Sequence, residues 1–243
     1  MELSELRSRI IESFSGDEKD LCKVLHEIEQ DHAVYPFNEY EHLIVSLISQ
    51  NNLTYQQYLD IRAEYISANP NLWIFEISAP RGFGEKFAQT YIKGKSNNLL
   101  TPSKKFDPEF SGEYDLWLDG IRIEVKASRA VDANSNEPLY IKALSSQTDK
   151  SFLMNFQQLK PQYCDVFIWL AVFRDEIILW IMNSDEVASH ELFSKGQHRG
   201  NHGNEGQLHI KEDNIHLFEK YKFIGNDIEK AIRDAVSRKK AKP

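Results

Sequence analysis

The sequence predicts an α/β fold: a mixed β-sheet core that carries a tight hairpin, helices flanking it, and a helical N-terminal region. Three observations lead there. Asp119-Gly120 stands between two alternating runs, Glu113 to Leu118 and Ile121 to Lys126. Asp-Gly in that setting is the strongest short-range sign of a hairpin, because a type I′ turn needs positive φ at both central residues. Asp165 to Phe173 is almost continuously apolar, as a central strand covered on both faces is. The chain before Pro70 repeats its apolar residues at helical spacing.

Taken in order, Ser4 is a cap for a helix to about Ser13, with Leu6, Ile10 and Ile11 on one stripe, and Gly16 breaks it. Asp17 caps a second helix bearing Leu21, Val24, Leu25 and Ile28. Glu39 to Ser49 and Thr54 to Ala68 follow, the latter stopped by Asn69-Pro70. Leu72 to Ile77 reads as a short strand, and Glu85 to Ile92 as a helix entered through Pro80-Arg81-Gly82-Phe83-Gly84. Lys93 to Ser111 carries prolines and no apolar period, so it is expected to be an ordered loop. After the hairpin, Leu139 to Leu144 is a short strand or helix, and Ser151 to Leu159 is expected to be a helix. Arg174-Asp175 turns the central strand into a second one, Glu176 to Met182. Ser184 to Leu192 is a helix capped by Ser184 or Asp185, and Gln207 to Ile210 is an edge strand. Asn214 to Tyr221 and Asp227 to Val236 are helical. The expected division is a helical region over residues 1–70, packed on a core over residues 71–243.

The hairpin supplies the chemistry. A two-residue turn sets Leu118 opposite Ile121, Trp117 opposite Arg122, Leu116 opposite Ile123, Asp115 opposite Glu124, Tyr114 opposite Val125, and Glu113 opposite Lys126. Alternation sends Tyr114, Leu116, Leu118, Ile121, Ile123 and Val125 to one apolar face and the charged residues to the other. Asp115 and Glu124 are then direct neighbours, with Cβ atoms roughly 4.5–5.5 Å apart. Like charges so placed destabilise a hairpin unless something positive sits between them. A hard divalent cation held by oxygen ligands meets that need. Lys126 projects from the same face. The competing reading is an ordinary surface hairpin whose Lys and Arg neutralise its acids.

Asp115, followed on the next strand by Glu124-Val125-Lys126, resembles the signature of the PD-(D/E)xK nuclease superfamily, with Tyr114 standing where the family name has Pro. The resemblance implies a Mg²⁺ ion, which Mn²⁺ can replace, held by Asp115, Glu124 and the backbone carbonyl of Val125. It implies Lys126 as the residue that orients water or offsets charge on the phosphate, and Glu85 as the acid on the helix before the hairpin. Gln157 and Gln158 match a glutamine that some relatives carry after the acid-x-Lys strand. Within the superfamily, the chain most resembles a type II restriction endonuclease. That implies sequence-specific hydrolysis of double-stranded DNA by a homodimer. A structure-specific repair or recombination nuclease, an inactive DNA-binding module and a paired-carboxylate glycosidase are the alternatives.

Ser194 to Gln207 holds four glycines among hydrogen-bonding side chains. Nothing in it can build a core, so it reads as an exposed loop. Gln197, Arg199, Asn201, His202, Asn204 and Gln207 are its candidates for contacting DNA, since Arg pairs with guanine and Asn or Gln with adenine. His198 and His202 lack the companions that a metal site needs. The scattered His26, His32 and His42 read as ordinary histidines.

Composition sets outer limits. A net charge of −8 over 243 residues lends no support to nucleic-acid binding. A hydrophobic content of 41% fits a soluble globular chain. The two cysteines, Cys22 and Cys164, have no metal-type spacing, which suits a reducing cytoplasm. No apolar run approaches the roughly 20 residues of a membrane span, and the acidic N-terminus lacks a signal-peptide core.

Overall fold

The computed structural model describes residues 47–80, 82–196 and 205–238, together with the backbone but not the side chain of Glu85. The chain divides into two units, residues 1–35 and 36–243, and every described residue lies in the second. The helices expected at Ser4 and Asp17, most of the one at Glu39, and the tip of the polar loop lie outside the described residues.

The first described helix, α1, is Tyr55–Ala68, closed at its start by a capping box between Thr54 and Gln57. The chain then makes a 3₁₀ turn over Leu72–Glu76, where the alternation reading expects a strand. Leu72 and Ile74 are buried and Trp73 is exposed, but Phe75, which strand alternation would place on the side of Trp73, is buried as well. A π-helical segment, Gly82–Ala88, runs into α2, Gln89–Lys93.

Strands β1 (Leu116–Leu118) and β2 (Ile121–Arg129) form the hairpin. Asp119 and Gly120 both have positive φ, 46° and 92°, as a type I′ turn requires. β2 lies parallel to β4 (Val166–Val172), Ile123 facing Val166 and Arg129 facing Val172. β4 turns at Arg174-Asp175 into the antiparallel β5 (Ile177–Asn183). The sheet order is β1-β2-β4-β5. A parallel neighbour needs a long crossover, and residues 130–165 provide it.

That crossover contains β3, Leu153–Leu159, the segment expected to be a helix. It joins β7 (Gly206–Lys211) and β6 (Phe193–Lys195) in a second, antiparallel sheet of order β3-β7-β6. β7 is therefore a middle strand, not an edge. Phe167, Trp169 and Ala171 of β4 and Ile178, Trp180 and Met182 of β5 pack against Met154, Phe156, Leu208 and Ile210 of this sheet. Phe156 meets the Trp169 indole edge-on, with ring centroids 4.9 Å apart. The alternate residues of β4, Val166, Ile168, Leu170 and Val172, are buried on the opposite side. β4 is thus covered on both faces, as its unbroken apolar run demands.

The remaining helices are short. α3, Ser184–Ala188, is capped by Asn183 rather than by Ser184 or Asp185. The same Asn183 donates to the Ala235 carbonyl (3.0 Å), tying β5 to α4, Ile228–Ser237. A 3₁₀ helix, Ile215–Tyr221, precedes α4. No described helix is long and apolar enough to cross a membrane.

Because Gly120 sits at a φ that a Cβ makes costly, Gly120→Ala is expected to lower stability by about 1–2 kcal/mol. For a chain of this size that is a fall of roughly 2–8 °C in thermal midpoint. Thermal unfolding by circular dichroism checks it; a midpoint equal to wild type contradicts the turn assignment.

Candidate active site at the end of the hairpin

The register expected for the hairpin holds from the turn to Leu116, which faces Ile123. It breaks at Asp115. The Asp115 N–H donates to the carbonyl of Ile123 (2.9 Å), the residue already opposite Leu116. Two residues of the incoming strand therefore address one residue of β2, which is a β-bulge. A one-residue slip moves what precedes it to the other face. Tyr114, expected beside Leu116, packs instead with Trp117 (centroids 6.2 Å apart) in the core beneath the second sheet. Asp115 does not stand squarely opposite Glu124, nor Tyr114 opposite Val125.

The bulge turns the Asp115 carboxylate onto the edge of β2. There Oδ2 accepts the Val125 N–H (2.8 Å), filling the place of a ladder bond. Oδ1 accepts the side-chain amide of Gln89 (2.7 Å), at the start of α2. In a strand a residue's N–H and C=O point to the same edge, so the Val125 carbonyl faces the side from which Asp115 approaches.

Glu124 and Lys126 lie opposite Phe167 and Trp169 of β4 and share their face, toward the second sheet. Lys126 Nζ is 2.7 Å from Glu124 Oε1, and the two side chains keep only 20% and 15% of their exposure. The Asp115 carboxyl lies close enough to Glu124 to act on it directly. Burial pushes Glu124 up to about 7; the Lys126 ammonium works against the rise, and the Asp115 charge adds to it.

These groups line a cavity of about 660 Å³. Pro80 ahead of the π-helical segment, Gly84 within it and Gln89 of α2 line it, and Asn155, Gln157, Gln158 and Lys160 line it from β3 and the residue after it. Gln157 and Gln158 thus reach the site from a strand, not from a helix. Glu85 lies on the π-helical segment between cavity-lining Gly84 and Gln89.

Among the described residues no three or more His, Cys, Asp or Glu side chains gather as metal ligands. The donors at hand are two carboxylates and a backbone carbonyl. That set suits Mg²⁺, which takes one or two carboxylates and fills its shell with water and substrate phosphate. It does not suit the nitrogen and sulfur shell of zinc. Cys164, whose thiol is pushed well up by burial, remains protonated and is no ligand.

Of the loop residues, Gln197, Arg199, Asn201, His202 and Asn204 lie outside the described residues. Gln207 lies in β7 opposite Ser194 and is not in the cavity wall. The loop's two ends are anchored: Gly196 N–H donates to the Glu205 carbonyl (3.0 Å), and Glu205 pairs with Lys160 (2.9 Å) at the cavity.

Sequence reasoning missed Gln89. Its spacing four residues after Glu85 on a helical stretch was the available signal. It also missed Asn155 and Lys160, which a helical reading of their segment left without a site to face. No family model and no curated protein matches the chain.

In the unfolded chain Glu124 titrates at an ordinary value near 4.5, and in the folded chain near 7. The folded state therefore holds an extra proton between those values, and the stability this contributes is lost as pH rises through 7. Without divalent cation, Glu124→Gln is expected to melt roughly 5 °C or more above wild type at pH 8, with the gap closing by pH 5. Addition of Mg²⁺ at pH 8 is expected to stabilise wild type and not the variant. Melting curves at both pH values check this; a pH-independent gap rules it out.

Proposed function

We propose that the protein is a Mg²⁺-dependent endonuclease that hydrolyses phosphodiester bonds in double-stranded DNA at a specific sequence, as type II restriction enzymes do. The observation that carries the proposal is the meeting of Asp115, Glu124 and Lys126 on one cavity wall, beside the Val125 carbonyl edge. A surface hairpin with neutralised acids accounts poorly for that arrangement. Its carboxyls would be solvated and ordinary in titration, whereas Glu124 is mostly withdrawn from water and strained toward protonation.

Asp115, Glu124 and the Val125 carbonyl are the residues that would hold Mg²⁺ or Mn²⁺. When bound, the ion supplies Lewis-acid polarisation of the phosphate and makes water more acidic. The chain's own groups do the rest. Gln89 and the Val125 N–H fix both oxygens of Asp115, so the carboxylate needs no reorganisation when substrate arrives. Glu124, which burial holds toward its neutral form, gives up its proton more readily once positive charge enters the site. Lys126 carries its ammonium beside the position of the reacting phosphate. There it balances charge that builds on the phosphate oxygens as water adds and the leaving oxygen departs with a proton. Such enzymes commonly act as homodimers, one site per strand, and the proposal includes that state.

The direct test is incubation with plasmid and Mg²⁺, with EDTA as the control, followed by sequencing of the fragment ends. Fragments sharing one short end sequence are expected; ends without common sequence point instead to a structure-specific repair nuclease. Asp115→Ala and Lys126→Ala are each expected to lower cleavage at least 100-fold while leaving duplex binding largely intact. Gln89→Ala, which frees one oxygen of Asp115, is expected to cost about 10–100-fold. Normal cutting by either of the first two variants would overturn the role assignment.

A further inference from the structure

β3 contains a second bulge, and it changes what the cavity presents. Phe156 faces Leu208 and Leu159 faces Gly206, so Gln157 and Gln158 together stand opposite Gln207. Along a regular strand, successive side chains take opposite faces and only one of the two glutamines would reach the cavity. Here both line it, with Asn155 two residues before and Lys160 two residues after. Met154, Phe156 and Leu159 hold the strand in the core, while Asn155, Gln157 and Gln158 are exposed toward the cavity. Gln158 adopts φ 56°, a left-handed conformation that glycine takes freely and other residues take at a cost. A bulge at this position can be built with glycine; this chain keeps an amide there.

Phosphate oxygens only accept hydrogen bonds, so a phosphate uses only the N–H of a side-chain amide, while Lys160, the charged donor on this wall, is paired with Glu205. A side-chain amide offers a donor and an acceptor together. The partner that uses both is a base edge, above all adenine, whose N6 amino group and N7 match an Asn or Gln amide. We infer that Gln157 and Gln158 on the β3 bulge contact the edge of an adenine next to the scissile phosphate. They form a base-reading element apart from the polar loop over residues 197–204. This rests on the nuclease reading above, and deepens it.

The experiment compares the full-length wild type with Gln157→Ala and Gln158→Gly on duplex DNA randomised around a fixed core. One arm sequences the ends cut in Mg²⁺. The other sequences the DNA retained in Ca²⁺, a hard cation that fits the same oxygen donors. Wild type is expected to enrich adenine at one position beside the cut by roughly tenfold or more. Both variants are expected to lose that enrichment while keeping preferences elsewhere. Gln158→Gly is expected to melt above wild type by a few degrees, because the backbone strain goes with the side chain. Unchanged base frequencies in both variants overturn the inference and leave the nuclease reading standing. An equal loss of cutting on all sequences also overturns it, since that marks a positioning role. If wild type retains DNA in Ca²⁺ but never cuts, the nuclease reading fails and the retained pool decides this one. If it neither cuts nor retains DNA, both fall. Should Gln157→Ala not fold, Gln158→Gly alone decides.

Discussion

The hydrogen bond from the Val125 N–H to the Asp115 carboxylate is the contact on which the rest of the site depends. β1 pairs with β2 for only three residues, and beyond them the edge of β2 needs a partner for each buried backbone group. A neighbouring strand would satisfy that edge and close it. The bulge at Asp115 satisfies it with a side chain instead. One carboxylate oxygen stands in for a strand carbonyl, and the space a continuing strand would fill becomes the cavity. Fold and candidate chemistry thus share one bond. The group that ends the ladder is also the acid that would hold the ion.

Burial sets the electrostatics of what remains. Glu124 and Lys126 share a face with Phe167 and Trp169 and are covered by the second sheet. Withdrawal from water penalises the charged carboxylate, and the Lys126 ammonium offsets only part of that penalty. An uncompensated buried charge has two ways out, a proton or a cation. Without an ion, the upward shift of Glu124, caused chiefly by burial, fits the first. The oxygen-only donor set and the open cavity fit the second.

Bulges also account for where sequence reading failed. From Phe152, just before β3, the buried residues Phe152, Met154 and Phe156 alternate as a strand requires, but the extra residue at Gln157-Gln158 displaces the next buried one to Leu159. Phe152, Phe156 and Leu159 then fall at helical spacing, and alternation is hidden by the insertion that gives the strand its role. The same kind of insertion at Asp115 upset the pairing expected for Tyr114 and Glu113. At Leu72–Glu76 the cause differs. A run of large apolar residues has strand-like composition, and Leu72, Trp73 and Ile74 even alternate; only the burial of Phe75, on the side a strand would give to exposed Trp73, departs from a strand.

By itself the sequence determined what depends on neighbours in the chain. The Asp119-Gly120 turn follows from the φ values those residues tolerate. The register out to Leu116 follows from the length of that turn. The depth of β4 follows from an unbroken apolar run. Tertiary structure decided what depends on residues far apart. It stopped β1 at Leu116, brought Gln89 to Asp115 across 26 residues of chain, made β3 a strand by pairing it with β7, and set the acids in one cavity with it. Local backbone preferences are short-ranged and legible along a sequence. Which strand edge is left open, and what side chain then occupies it, is settled only when distant segments compete for the same hydrogen bonds and the same dry space.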